Sequence, residues 1–179
     1  DFVKLAETDL TSGNVSSLTY ANVFSSTYKT YKIFYAFGLQ SNHYYHLAIQ
    51  DSGGSNQGGT YYSKWTQITD NQTSSSHAAG NQSTSDGFRL MNTWYSSSPH
   101  HADVGEITLF NPSDTTSRTQ AQWRVSWNQE SNNQMGHTSG YGRCGNVGGG
   151  THLNINLTGG DVENSSGALD AYVQIYGIK

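Results

Sequence analysis

Between residues 121 and 127 apolar and polar side chains alternate without a break, with Ala121, Trp123, Val125 and Trp127 on one side and Gln122, Arg124 and Ser126 on the other. Successive side chains of an extended strand point to opposite faces, whereas a helix would scatter this set around its axis. The stretch is therefore a strand with one buried face. The same period of two returns in Leu153, Ile155 and Leu157, which alternate with His152, Asn154 and Asn156, and in Ala171, Val173 and Ile175, which alternate with Tyr172, Gln174 and Tyr176. Tyr45, Leu47 and Ile49 form a fourth strand, Ile107 and Leu109 a fifth, and the aromatic run Tyr31 to Phe37 a sixth that is expected to be covered on both faces. Phe2 to Glu7, Val15 to Tyr20, Tyr61 to Ile68 and Phe88 to Met91 bring the expected strands to ten. Only Ala21 to Tyr28 has room for a helical turn, and no amphipathic helix is visible. Short strands separated by turns imply an all-β fold, an antiparallel β-sandwich of jelly-roll type. No composition shift or proline-rich hinge divides the chain, so residues 1–179 form one domain.

Composition explains what lies between the strands. Ser, Thr, Asn and Gln make up 68 of the 179 residues, while charged residues are only 12 %. These neutral polar side chains compete for backbone hydrogen bonds and favour turns and strand edges over helix interiors. Three stretches read as long polar loops: Asp51 to Thr60, Asp70 to Gly87, and Ser131 to Gly150, the last with seven glycines. Nine Lys and Arg stand against 13 Asp and Glu with no basic run, so no footprint for a nucleic-acid backbone exists. No apolar stretch approaches the ~20 residues of a membrane-spanning helix, and no segment has the three parts of a signal peptide; a soluble, mature chain without membrane insertion is expected, although Asp1 in first place leaves room for residues before it. The single Cys144 excludes an intrachain disulfide, so the fold must stand on packing, on association between copies, or on both.

The motifs for chemistry are weak. Gly140, Gly142 and Gly145 satisfy G-x-G-x-x-G, but the following Asn146-Val147-Gly148-Gly149-Gly150 cannot open the helix that a dinucleotide site requires. His43 and His46, three apart on a strand, face opposite ways and cannot share a metal. His100, His101, Asp103 and Glu106 come nearest to a ligand cluster if the residues after Pro99 form a loop, but their spacing assigns no metal. Gly136-His137-Thr138-Ser139-Gly140 misses the nucleophile-elbow pattern by one position, and the carboxylates are scattered, so no catalytic residues, no enzyme activity and no cofactor are expected. The five sequons, at Asn14, Asn71, Asn81, Asn156 and Asn164, are about what chance gives in a chain so rich in Ser and Thr.

Aromatic residues among neutral polar neighbours are the remaining signal. Rings stack on the apolar faces of sugars while amides meet their hydroxyls. Trp123 and Trp127 belong to a strand's buried face; Tyr61, Tyr62, Trp94, Tyr95 and Tyr141 flank or sit in the loop-like segments and are the candidate ligand-binding residues.

Three stretches, SSLTYANVFSSTYKTYKIFY (Ser16 to Tyr35), GEITLFNPSD (Gly105 to Asp114) and AYVQIYGIK (Ala171 to Lys179), together resemble β-rich virion surface proteins of tailed, marine-type bacteriophages. The resemblance implies a non-enzymatic structural protein of a tail fibre, spike or capsid decoration, located on the virion surface and often assembled as a trimer. Its implied partners are other virion proteins, further copies of itself and a host surface glycan. A low-charge surface suits that setting, because contacts made by neutral groups vary little with ionic strength. A free-standing lectin-like carbohydrate-binding module is the alternative from a different class.

Overall fold

The alternating residues close into two antiparallel sheets packed face to face. The structure, a computed structural model, describes residues 1–11, 15–39, 46–57, 59–70, 74–90, 101–129, 134–146, 149–157 and 168–179. Its strands are β1 (Phe2–Leu10), β2 (Ser17–Tyr20), β3 (Thr30–Leu39), β4 (His46–Gln50), β5 (Tyr61–Asp70), β6 (Ser75–Thr84), β7 (Phe88–Arg89), β8 (His101–Phe110), β9 (Gln120–Gln129), β10 (Gln134–Cys144), β11 (His152–Asn156) and β12 (Ala168–Ile178). One sheet has eight strands in the order β1-β12-β3-β8-β9-β10-β5-β6, and the other has four in the order β2-β11-β4-β7. Among the described residues none is helical, and Ala21 to Tyr28 forms turns, with Asn22 at φ 55°. None of them belongs to a helix long and apolar enough to cross a membrane.

The β-sandwich implied by the alternation is present, and so is a strand in each of the ten expected places. Two further strands, β6 and β10, run through segments that composition assigns to loops, Asp70 to Gly87 and Ser131 to Gly150. Their inward positions explain why. One row across the inner face of the large sheet reads Ile175, Ile33, Ile107, Trp123, Gly140, Trp65 and Gly80, from β12 to β6. The row alternates large and small on its β9-to-β6 side, so each indole lies over a neighbouring strand that has no side chain to oppose it. A Cβ on Gly140 would collide with the Trp123 ring, one on Gly136 with Trp127, and one on Gly80 with Trp65. Tyr35 covers Gly105 of β8 in the same way. Glycine normally weakens a strand through chain entropy and a missing contact; here the neighbour's ring supplies that contact.

The small sheet seals this face. Leu47, Ile49, Phe88, Leu90, Leu153, Ile155 and Leu157 are at most 1 % exposed and meet the odd-numbered residues of β3, β8, β9 and β12. Tyr61 of β5 reaches across the sandwich: its hydroxyl donates to the Ile49 carbonyl at 3.0 Å and accepts from the Ile49 N–H at 3.1 Å. The aromatic run of β3 corrects one expectation. It is covered on one face only, with Tyr31, Ile33, Tyr35 and Phe37 buried, while Lys32 and Ala36 are half-buried and Phe34 is exposed. That second face belongs to the outer surface of the large sheet.

Candidate binding groove on the outer sheet face

Every strand of the large sheet turns half its residues away from the core, and register brings these into rows. Lys32, Thr108, Gln122, Tyr141, Lys64 and Asn81 form one row from β3 to β6; Phe34, Glu106, Arg124, Ser139, Thr66 and Ala79 form the next. Between them lies an open groove of about 710 Å³. With neighbouring strands about 4.8 Å apart, the four steps from β3 to β5 span about 19 Å. Tyr141 stands near the middle, 60 % exposed, directly opposite Gln122 on β9 and Lys64 on β5. Lys32 reaches Glu106 at 3.6 Å across the β3–β8 pair. One row beyond Tyr141 and Lys64 on the same face, Tyr62, also exposed, carries the Arg143 guanidinium 5.2 Å from its ring centroid.

Toward β1 the same face becomes aromatic. Phe2 and Phe34 each meet Tyr176 edge to face, at 6.1 Å and 6.0 Å between ring centroids. The Glu7 carboxylate ties this end together by accepting from Lys4 Nζ at 2.7 Å, Gln174 Nε2 at 2.8 Å and Tyr172 Oη at 3.3 Å. The hydrogen bond from Lys4, then that from Gln174, holds its pKa below the ordinary glutamate value.

The sequence candidates separate. Tyr62 and Tyr141 are on this face, whereas Tyr61 is fully buried, its hydroxyl engaged with Ile49, and belongs to the core rather than to a ligand surface. Trp94 and Tyr95 lie outside the described residues. The His100, His101, Asp103, Glu106 set does not form a loop: the segment from His101 onward is strand β8, so Asp103 and Glu106 face opposite sides of the sheet, and His100 lies outside the described residues. Among the described residues no group of His, Cys, Asp and Glu is placed to hold a metal. Asp103 is instead a core residue, 1 % exposed, whose burial pushes its pKa up to about 8.

Lys32, Lys64, Gln122 and Arg124 are not among the sequence candidates, and Glu106 is one only as a member of the loose His100, His101, Asp103, Glu106 set. Their signal was present as the polar half of strongly alternating strands, but only the strand order shows which polar residues become neighbours. The same holds for His137, whose ring nitrogens lie 2.8 Å from Ser139 Oγ and 3.4 Å from Ser126 Oγ. This hydroxyl–imidazole–hydroxyl run looks like part of a nucleophile and base pair. Yet β10 is a central strand paired on both sides, so its backbone N–H groups are committed to the ladders rather than free to stabilise an oxyanion. Among the described residues both ring nitrogens face hydroxyls, of Ser139 and Ser126, and no carboxylate orients the imidazole. The face offers hydrogen-bond donors, acceptors and the exposed Tyr141 ring. No family model matches the chain, and none of the curated proteins matches it.

Proposed function

We propose that the chain is a non-enzymatic, lectin-like binding module whose outer sheet face receives an oligosaccharide. The observation that carries this reading is Tyr141, a ring 60 % exposed in a groove whose lining combines Gln122, hydroxyl groups of Thr66, Thr108 and Ser139 and charged side chains with the apolar Trp65, Ala79 and Trp123. A sugar ring has apolar C–H faces and a hydroxyl rim, and such a groove meets both at once. The span of about 19 Å accommodates a short oligosaccharide laid across the strands. In the virion setting that the sequence resemblance implies, the same face would attach a particle to host glycans, and assembly as a homotrimer would present several grooves together.

A glycan array followed by calorimetry on the hits tests the reading. Binding is expected, and Tyr141→Ala should weaken it about tenfold or more, since a stacked ring contributes about 0.5–1.5 kcal/mol beyond its buried area. The melting temperature should not change, because the ring touches solvent rather than core. Absence of binding to every glycan class overturns the proposal. Light scattering that finds a stable monomer at micromolar concentration removes the trimer.

A further inference from the structure

Resting on that reading, we propose that the ligand is an anionic saccharide, one bearing a carboxylate or a sulfate. The groove is lined by three cationic side chains, Lys32, Lys64 and Arg124, and by one carboxylate, Glu106. This is a local excess of positive charge in a chain whose net charge is −4. Glu106 is engaged by Lys32 at 3.6 Å, which leaves Arg124 and Lys64 without an ion-pair partner among the described residues. They stand on either side of β10, one strand step each from Ser139 and Tyr141. An acidic substituent on a sugar seated against Tyr141 would lie between them. A guanidinium takes carboxylate or sulfate oxygens through two parallel N–H donors, and a lysine supplies a mobile second charge. A neutral sugar would accept hydrogen bonds from these cations but leave their charge uncompensated.

The experiment is calorimetric titration of the full chain with matched neutral, carboxylated and sulfated oligosaccharides of one backbone, at low and at high salt. Either acidic form is expected to bind at least about tenfold more tightly than the neutral one, with the advantage shrinking as salt rises. The carboxylated and sulfated arms identify which acid is preferred. Arg124→Gln and Lys64→Gln, both changes at exposed positions, should remove the acidic preference, and Arg124→Lys should restore part of it; Tyr141→Ala should weaken every ligand alike. Equal binding of the neutral and acidic forms overturns this inference while leaving the glycan reading intact. No binding of any of the three overturns this inference, and together with a blank glycan array it overturns both.

Discussion

The indole of Trp123 occupies the space that a side chain on Gly140 would need, directly across the β9–β10 pair. Gly140→Ala should therefore overpack the core and cost about 1–3 kcal/mol, measured by urea denaturation. In a Trp123→Val background the same change should cost much less, and the difference between the two backgrounds reports the contact itself. Ser139→Ala, one position along and facing outward, should leave stability within about 0.5 kcal/mol of the parent. Equal costs at positions 139 and 140 would contradict the packing described.

Tyr61→Phe tests the tether between the sheets. The change removes a donor and an acceptor at once. The Ile49 carbonyl keeps the Gln57 N–H at 2.6 Å, but the Ile49 N–H loses the tyrosine oxygen in a buried setting. A loss of about 1–3 kcal/mol is expected, without any change in glycan binding, because Tyr61 lies on the opposite side of the sheet from the groove.

Asp103 predicts an unusual dependence on pH. It sits between Phe37 of β3 and Trp127 of β9, and its Oδ2 finds no hydrogen-bond partner among the described residues. Burial raises its pKa from the ordinary 3.8 to about 8. Between those two values the folded state holds a proton that the unfolded chain has released, so stability declines as pH rises. The stabilisation is complete below the unfolded value and is lost as pH passes the folded one. The slope is at most about 1.4 kcal/mol per pH unit. Asp103→Asn should flatten the profile and exceed the wild type by roughly 1–4 kcal/mol at pH 8, with the two converging near pH 4, as read from denaturation midpoints across that range. A wild-type profile that is flat or rises between pH 5 and 8 would speak against a protonated buried carboxyl.

Cys144 is 2 % exposed, and burial pushes its thiol up to about 12. The thiolate is the reactive form. In native buffer at pH 8 an aromatic disulfide reagent should label it no faster than the fold opens, whereas in denaturant labelling should be immediate. Destabilising variants such as Gly140→Ala should speed the native labelling in proportion to their loss of stability.

Much of the fold was legible where apolar residues mark one face of a strand. In β9 and β12 the alternation names the core residues one by one, and the burial pattern follows it. β10 was hidden because its inward residues include Gly136, Gly140 and Gly142, which carry no hydrophobic signal of their own; the apolar matter that covers two of them belongs to Trp127 and Trp123 on the neighbouring strand. β6 was hidden for a related reason. It is an edge strand with only small or polar side chains, and its inward Gly80 is covered by Trp65. The groove was legible only in part. Tyr62 and Tyr141 stand out as aromatic residues in polar surroundings; Glu106 and Arg124 come from the consecutive strands β8 and β9, but Lys64 comes from the distant β5, and its meeting with them depends on the order β8-β9-β10-β5. Tyr61 and Tyr62 show the limit in miniature: two adjacent tyrosines of one strand point in opposite directions, so one is core and one is surface.

Strand β10 carries its two duties on interleaved residues. The even positions, Gly136, Thr138, Gly140 and Gly142, determine how the strand seats beneath its neighbours' rings, and the odd positions, His137, Ser139, Tyr141 and Arg143, furnish the open face. Seating by absent side chains leaves the odd positions with contacts only among outward-facing groups, such as His137 with Ser139 and Arg143 with Tyr62. The outer face, and with it the proposed ligand preference, can be rewritten by substitution there while the sandwich beneath it keeps the same register and the same core.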